Sequence, residues 1–87
     1  MTDAAASRRR RAAFRASHRG TKEMDWLLGR FAEARVADMP PSEFTEFERL
    51  LQMPDPELHD MILYPEIAPA GEFVALIAQL RSFHGLE

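Results

Sequence analysis

A chain of 87 residues has room for one small domain with a modest core, because domains typically run to ~100–150 residues and at this size folding hides only ~60–65% of the chain's surface. Hydrophobic residues at 46% and charged residues at 29% fit a globular chain, and the lack of cysteine excludes a disulfide framework, a thiolate metal site and a thiol nucleophile. The net charge of −3 hides an asymmetry: residues 1–22 carry seven basic groups against Asp3, and residues 23–87 carry four arginines against thirteen acids.

Residues 1–6 are small or polar and predict a flexible lead-in, followed by a single helical domain over 7–85. From Ser7 to about His18 the composition is helical, with Ser7 suited to the N-cap and Gly20 to the C′ position. Its apolar content is thin (Ala12, Ala13, Phe14, Ala16), so this helix needs a neighbour or a partner. Thr21 is placed to cap a second helix with Glu23 and Asp25 in its first turn, where the positive dipole end favours carboxylates. Met24, Leu27, Leu28, Phe31 and Ala34 make its apolar face, and Gly29 within it suggests a close helix–helix approach. After the Pro40-Pro41 break, Phe44, Phe47, Leu50 and Leu51 form the stripe of a third helix with Pro41 at N1. Asp55 and Pro56 open a short fourth helix with Leu58, Met61 and Ile62 facing inward, Asp55 being its expected cap. Tyr64 to Gly71 reads as a loop, and Phe73, Leu76, Ile77, Leu80 and Phe83 define a last helix over about Glu72–His84, ended by Gly85. No strand pattern appears. The expectation is an all-α, compact five-helix antiparallel bundle.

No apolar run nears the ~18 residues of a membrane span, so membrane insertion is not expected. The arginine-rich start has the composition of a transit peptide, but it runs directly into the first helix. A bacterial cytoplasmic placement is therefore expected over a mitochondrial matrix one. The basic run Arg8–Arg11 fits electrostatic steering toward a partner, an arm for nucleic acid, or a solvated helix end. A recognition helix beginning with Glu23 and Asp25 would repel phosphates, which disfavours a DNA-reading helix-turn-helix. His18, His59 and His84 match no local metal-ligand spacing, Ser17 and His18 have no third triad member, and the four glycines form no phosphate loop. Neither catalysis nor a bound metal or cofactor is expected of this chain. A monomer is expected when it is free.

The most informative stretch is His18-Arg19-Gly20-Thr21-Lys22-Glu23. Arg19 follows a negative helix end and Glu23 opens a positive one, a pattern that a simple capped turn explains as well as a binding site does. The segment also resembles the RGxxE motif of the succinate dehydrogenase assembly factor (SdhE-like) family. Met24-Asp25 follows as in relatives, Phe47-Glu48-Arg49-Leu50-Leu51 matches the third-helix segment, and Asp55-Pro56-Glu57-Leu58 resembles the acidic DPxL turn. Together these cover roughly residues 11–63. Met61 stands where many relatives carry tryptophan.

The resemblance implies a non-enzymatic accessory protein. It would bind the flavoprotein subunit of succinate dehydrogenase, or of fumarate reductase in some bacteria, and promote covalent attachment of FAD. The bond joins a histidine of that partner to the flavin 8α-methyl carbon, so the FAD belongs to the partner. By likeness to the family, Arg19, Gly20 and Glu23 face the partner, and with Arg15, His18, Asp25 and Asp55 they make up the candidate partner-binding set. The expected picture is of Arg19 and Glu23 presented outward on either side of a side-chain-free turn. The alternative is a basic-armed helical module for nucleic acid or a regulatory protein.

Overall fold

Alanine is the strongest helix former, and the helix that opens the chain starts earlier than a cap at Ser7 predicts. The computed structural model describes residues 4–86, and α1 already spans Ala4–Ala16. Ser7 lies inside it and accepts a hydrogen bond from the Arg10 side chain at 3.0 Å. Ala4–Ala6 thus belong to the helix rather than to a lead-in, and residues 1–3 lie outside the described residues. α1 also stops short of the expected end. Both the backbone N–H and the hydroxyl of Ser17 bond the carbonyls of Ala13 and Phe14, which closes the last turn. Gly20 therefore sits in the connection and not at C′.

α2 spans Lys22–Arg35, a 3₁₀ turn follows at Val36–Asp38, and α3 spans Pro41–Leu50 with proline at its first position. α4 runs over Asp55–Leu63, and a second 3₁₀ turn at Gly71–Phe73 leads into α5, Val74–Phe83. Among the described residues these five helices are the regular structure, and no strand is present. The chain ends its last helix as predicted. Gly85 at φ +71° lets Leu86 N–H reach the Arg81 carbonyl and Gly85 N–H the Ser82 carbonyl, the double bond of a Schellman cap. The radius of gyration, 12.6 Å, is close to the ~12 Å expected for a folded domain of this length.

The core follows the apolar stripes. Leu28, Phe31, Phe44, Phe47, Leu50, Leu58, Ile62, Leu76 and Leu80 are fully buried. Phe31 joins the layers, with the Phe47 ring 5.9 Å away and Phe83 edge-on at 5.6 Å. Met61 is buried too, its flexible thioether side chain filling the core on the α4 side. One stripe member is wrong: Ala34 is exposed and Ala32 is buried. The reason is that α1 packs along α2 on the side of Gly29 and Ala32 and extends the buried stripe there. Gly29 permits this, because a Cβ there would stand 2.8 Å from Ser17 Cβ and 3.0 Å from its Cα.

Arginines from elsewhere in the chain then bond carbonyls at or just beyond helix ends. Arg9 donates to Val36 O after α2, Arg19 to Leu51 O and Met53 O after α3, and Arg81 to Ile62 O in α4. Among the described residues no buried side-chain nitrogen or oxygen lacks a partner.

Candidate functional site: the turn between the first two helices

Five residues, from Ser17 to Thr21, join α1 to α2, and their backbone is fixed from three directions. Asp25 Oδ1 accepts the N–H groups of Arg19 and of Gly20, the latter at 3.3 Å, so the carboxylate ties the turn to the first turn of α2. Thr21 is the N-cap as predicted, its hydroxyl accepting from Met24 N–H at 3.2 Å. Gly20 adopts φ +115°, a conformation L-residues rarely take, and no atom lies within 4 Å of where its Cβ would be.

The outward Arg19 expected from the sequence is corrected here. Its side chain is only 11% exposed and all its reach is directed inward. Nε donates to Asp55 Oδ1 at 2.8 Å, Nη1 to Leu51 O at 2.6 Å and Nη2 to Met53 O at 2.7 Å. The planar fork suits this task, since three acceptors in different directions are met by one group. Asp55 is correspondingly not a cap. It is the first residue of α4, makes no capping bond, and uses its carboxylate as the counter-ion of Arg19. The Arg19–Asp55 pair thus clamps the α1–α2 turn onto the α3–α4 connection.

Glu23, by contrast, is exposed. It pairs not with Arg19 but with His59 on α4, Oε1 to Nε2 at 3.2 Å. The other ring nitrogen of His59 lies 3.4 Å from Asp60. His18 is exposed at the end of α1, with its ring stacked 3.9 Å from that of Phe14 and Nδ1 2.7 Å from the Phe14 carbonyl. Arg15 is exposed, and its side chain makes no hydrogen bond or ion pair among the described residues. The structure therefore gathers Arg19, Gly20, Asp25 and Asp55 into one clamped turn and leaves Glu23 beside it, with His18 and Arg15 along the outer face of α1. Sequence reasoning missed His59 as the partner of Glu23, since that contact exists only once α4 packs beside the turn.

The basic run is also partly used up. Arg8 pairs with Glu48 at 2.5 Å and hydrogen-bonds Thr45 at 3.5 Å. The hydrogen bond to Glu48 holds its guanidinium above an already high ordinary pKa, against a smaller opposing effect of desolvation. Arg8 and Arg9 both lie over the Phe44 ring, at 5.0 and 4.7 Å. They help fasten α1 to α3 and do not form a free arm. His84 packs against Trp26 at 4.4 Å and contacts the Leu27 carbonyl at 2.8 Å. Among the described residues no group of three or more histidines and carboxylates is placed to hold a metal ion, and no helix is long and apolar enough to cross a membrane.

The fold and the turn together define a small all-α bundle with one clamped turn displayed at its surface. The particular kind is given by comparison with known proteins. The profile of the family described as "Flavinator of succinate dehydrogenase" matches residues 10–84, and the chain belongs to that family. It is 53% identical over 60 residues to the FAD assembly factor SdhE of Acetobacter pasteurianus, covering 69% of this chain and 55% of that protein. It is 32% identical over 76 residues to the mitochondrial succinate dehydrogenase assembly factor 2 of Dictyostelium discoideum, covering 87% and 53%. It is 35% identical over 63 residues to the FAD assembly factor SdhE of Coxiella burnetii, covering 72% and 77%. The chain spans about half the length of the first two of these relatives. No solved structure matches it.

Proposed function

We propose that this chain is an accessory factor that docks on the flavoprotein subunit of succinate dehydrogenase, or of a related fumarate reductase, and promotes covalent attachment of FAD to that subunit. The observation that carries the reading is the exposed Gly20 turn, held rigidly beside the Glu23 carboxylate, in a chain of the flavinator family. The chain itself performs no catalysis and binds neither flavin nor metal. It works in the bacterial cytoplasm, a reading supported by its likeness to bacterial proteins named SdhE.

The proposed division of labour follows from the geometry. Gly20, with open space around its Cα, lets a partner backbone approach the turn closely. Glu23 offers a carboxylate that His59 steadies and that a partner donor can take over. Arg19, Asp25 and Asp55 act from behind, keeping the turn in one conformation so that docking does not have to order it. His18 and Arg15 extend the contact along α1. Docking of this kind favours covalent attachment by holding the partner's reacting groups in an attack geometry, which is worth several kcal/mol of barrier when well aligned.

Two substitutions at Gly20 test this. Alanine and arginine at φ +115° carry the same backbone strain, ~1–3 kcal/mol, but only arginine projects a bulky cation into the docking space. Gly20→Ala should still co-purify with the flavoprotein, and Gly20→Arg should not. Equal retention by both variants would contradict a docking turn at this position.

A further inference from the structure

The outer face of α1 carries features that the clamped turn does not use. Ser7, Arg10, Arg11, Phe14 and Arg15 line one shallow depression, and His18 continues the same stripe at the helix end. Ala12 and Ala16, on the opposite side, are fully buried against the bundle. The Arg10 side chain is bonded to Ser7, but the guanidinium groups of Arg11 and Arg15 have no hydrogen bond or ion pair among the described residues. Phe14 is 62% exposed between them, with the His18 ring stacked on it. Two free guanidinium groups and an uncovered ring pair therefore share a face that begins at the proposed docking turn.

We infer that, given the docking role proposed above, this stripe receives an extended acidic segment of the protein partner, with carboxylates two residues apart on Arg11 and Arg15 and an apolar side chain against the Phe14–His18 ring pair. The spacing supports it. Residues four apart on a helix place their Cβ atoms ~5–6 Å from each other, and same-facing residues of an extended strand stand ~6.5–7 Å apart. A third same-facing residue of the strand then runs on past Arg15 toward His18, whose ring stacks on Phe14. Guanidinium groups bind carboxylates with two parallel hydrogen bonds, so each pairing is directional. Charge also selects the length of the occupant. Residues 23–87 carry thirteen acids against four arginines, so a long polyanion such as DNA is repelled beyond the stripe, whereas a short acidic segment ends before reaching them.

The test uses a fluorescein-labelled peptide with the pattern Leu-Ser-Glu-Ser-Glu between Gly-Ser flanks, read by anisotropy. Controls carry Leu-Ser-Gln-Ser-Gln, or adjacent acids as Leu-Ser-Ser-Glu-Glu. The wild-type chain should bind the first peptide about tenfold or more tightly than either control, and the double variant Arg11→Glu, Arg15→Glu should lose that preference. Both positions are exposed and unpaired, so the variant should keep its circular dichroism spectrum. Absence of binding, equal binding of all three peptides, preference surviving the double reversal, or tighter binding of a DNA oligonucleotide would each overturn the inference. A parallel pull-down separates it from the docking role. If the double variant retains the flavoprotein like the wild type while Gly20→Arg loses it, the acidic-segment site and the Arg15 contact fall, and docking through the Gly20 turn stands. If the wild type itself retains no flavoprotein, the docking role falls, and the peptide measurement alone decides the site.

Discussion

Removing the Arg19 clamp should unfold part of the bundle's stability rather than only weaken docking. Arg19→Ala deletes three hydrogen bonds, to Asp55, Leu51 O and Met53 O, at 2.8, 2.6 and 2.7 Å. Bonds to a charged group contribute ~1.5–3 kcal/mol each, and breaking a fully buried pair costs ~3–5 kcal/mol. Asp55 retains 24% exposure, so water recovers part of that loss and ~2–4 kcal/mol is the expected cost. A domain of this size loses ~4–8 °C in Tm per kcal/mol, which predicts a drop of ~8–30 °C by circular dichroism at 222 nm. Arg19→Lys keeps the charge but cannot reach three acceptors at once, and should lose about half as much. Asp55→Asn combined with Arg19→Ala should be less damaging than the two separate losses added together, because the two groups act as one unit. An Arg19→Ala protein within ~0.5 kcal/mol of the wild type that nonetheless loses the flavoprotein would refute the clamp and return Arg19 to the docking surface.

Gly29→Ala should destabilise the chain despite alanine's better helix propensity, because its Cβ would stand 3.0 Å from the backbone of Ser17 and overpacking costs ~1–3 kcal/mol; a higher Tm would contradict the close α1–α2 approach. Glu23→Gln should leave stability within ~0.5–1 kcal/mol, since the Glu23–His59 pair is largely exposed, so that any loss of covalent flavin in the partner reports docking; a large fall in Tm would contradict this. Association with the flavoprotein, followed by stopped-flow, should slow as salt rises because exposed cations such as Arg11 and Arg15 are screened beyond ~8–10 Å; a rate independent of ionic strength would count against steering.

The apolar stripes of α2 to α5 were legible in the sequence, because burial imposes the 3.6-residue period and prolines and glycines mark the breaks. The N-cap at Thr21, the close approach at Gly29 and the ending at Gly85 were also readable, being local or tied to a residue's lack of a side chain. What escaped depends on tertiary partners. Nothing near Arg19 indicates that its acceptors lie 32 to 36 residues further along, so a cation at a helix end reads as outward-facing. Asp55 looks like a cap for the same reason, until the Arg19 fork claims it. The start of α1 was missed because an alanine run needs no cap to be helical. The RGxxE segment is thus divided, with Arg19 holding the turn from inside and Gly20 and Glu23 left at the surface.

The central claim is most directly tested in cells lacking the gene for this chain, by in-gel fluorescence of the denatured flavoprotein subunit, which detects only covalently held flavin. The account predicts that the signal is lost or strongly reduced and returns when the wild-type chain is supplied, but not when Gly20→Arg is. A fluorescent band of undiminished intensity in the deletion strain would contradict it.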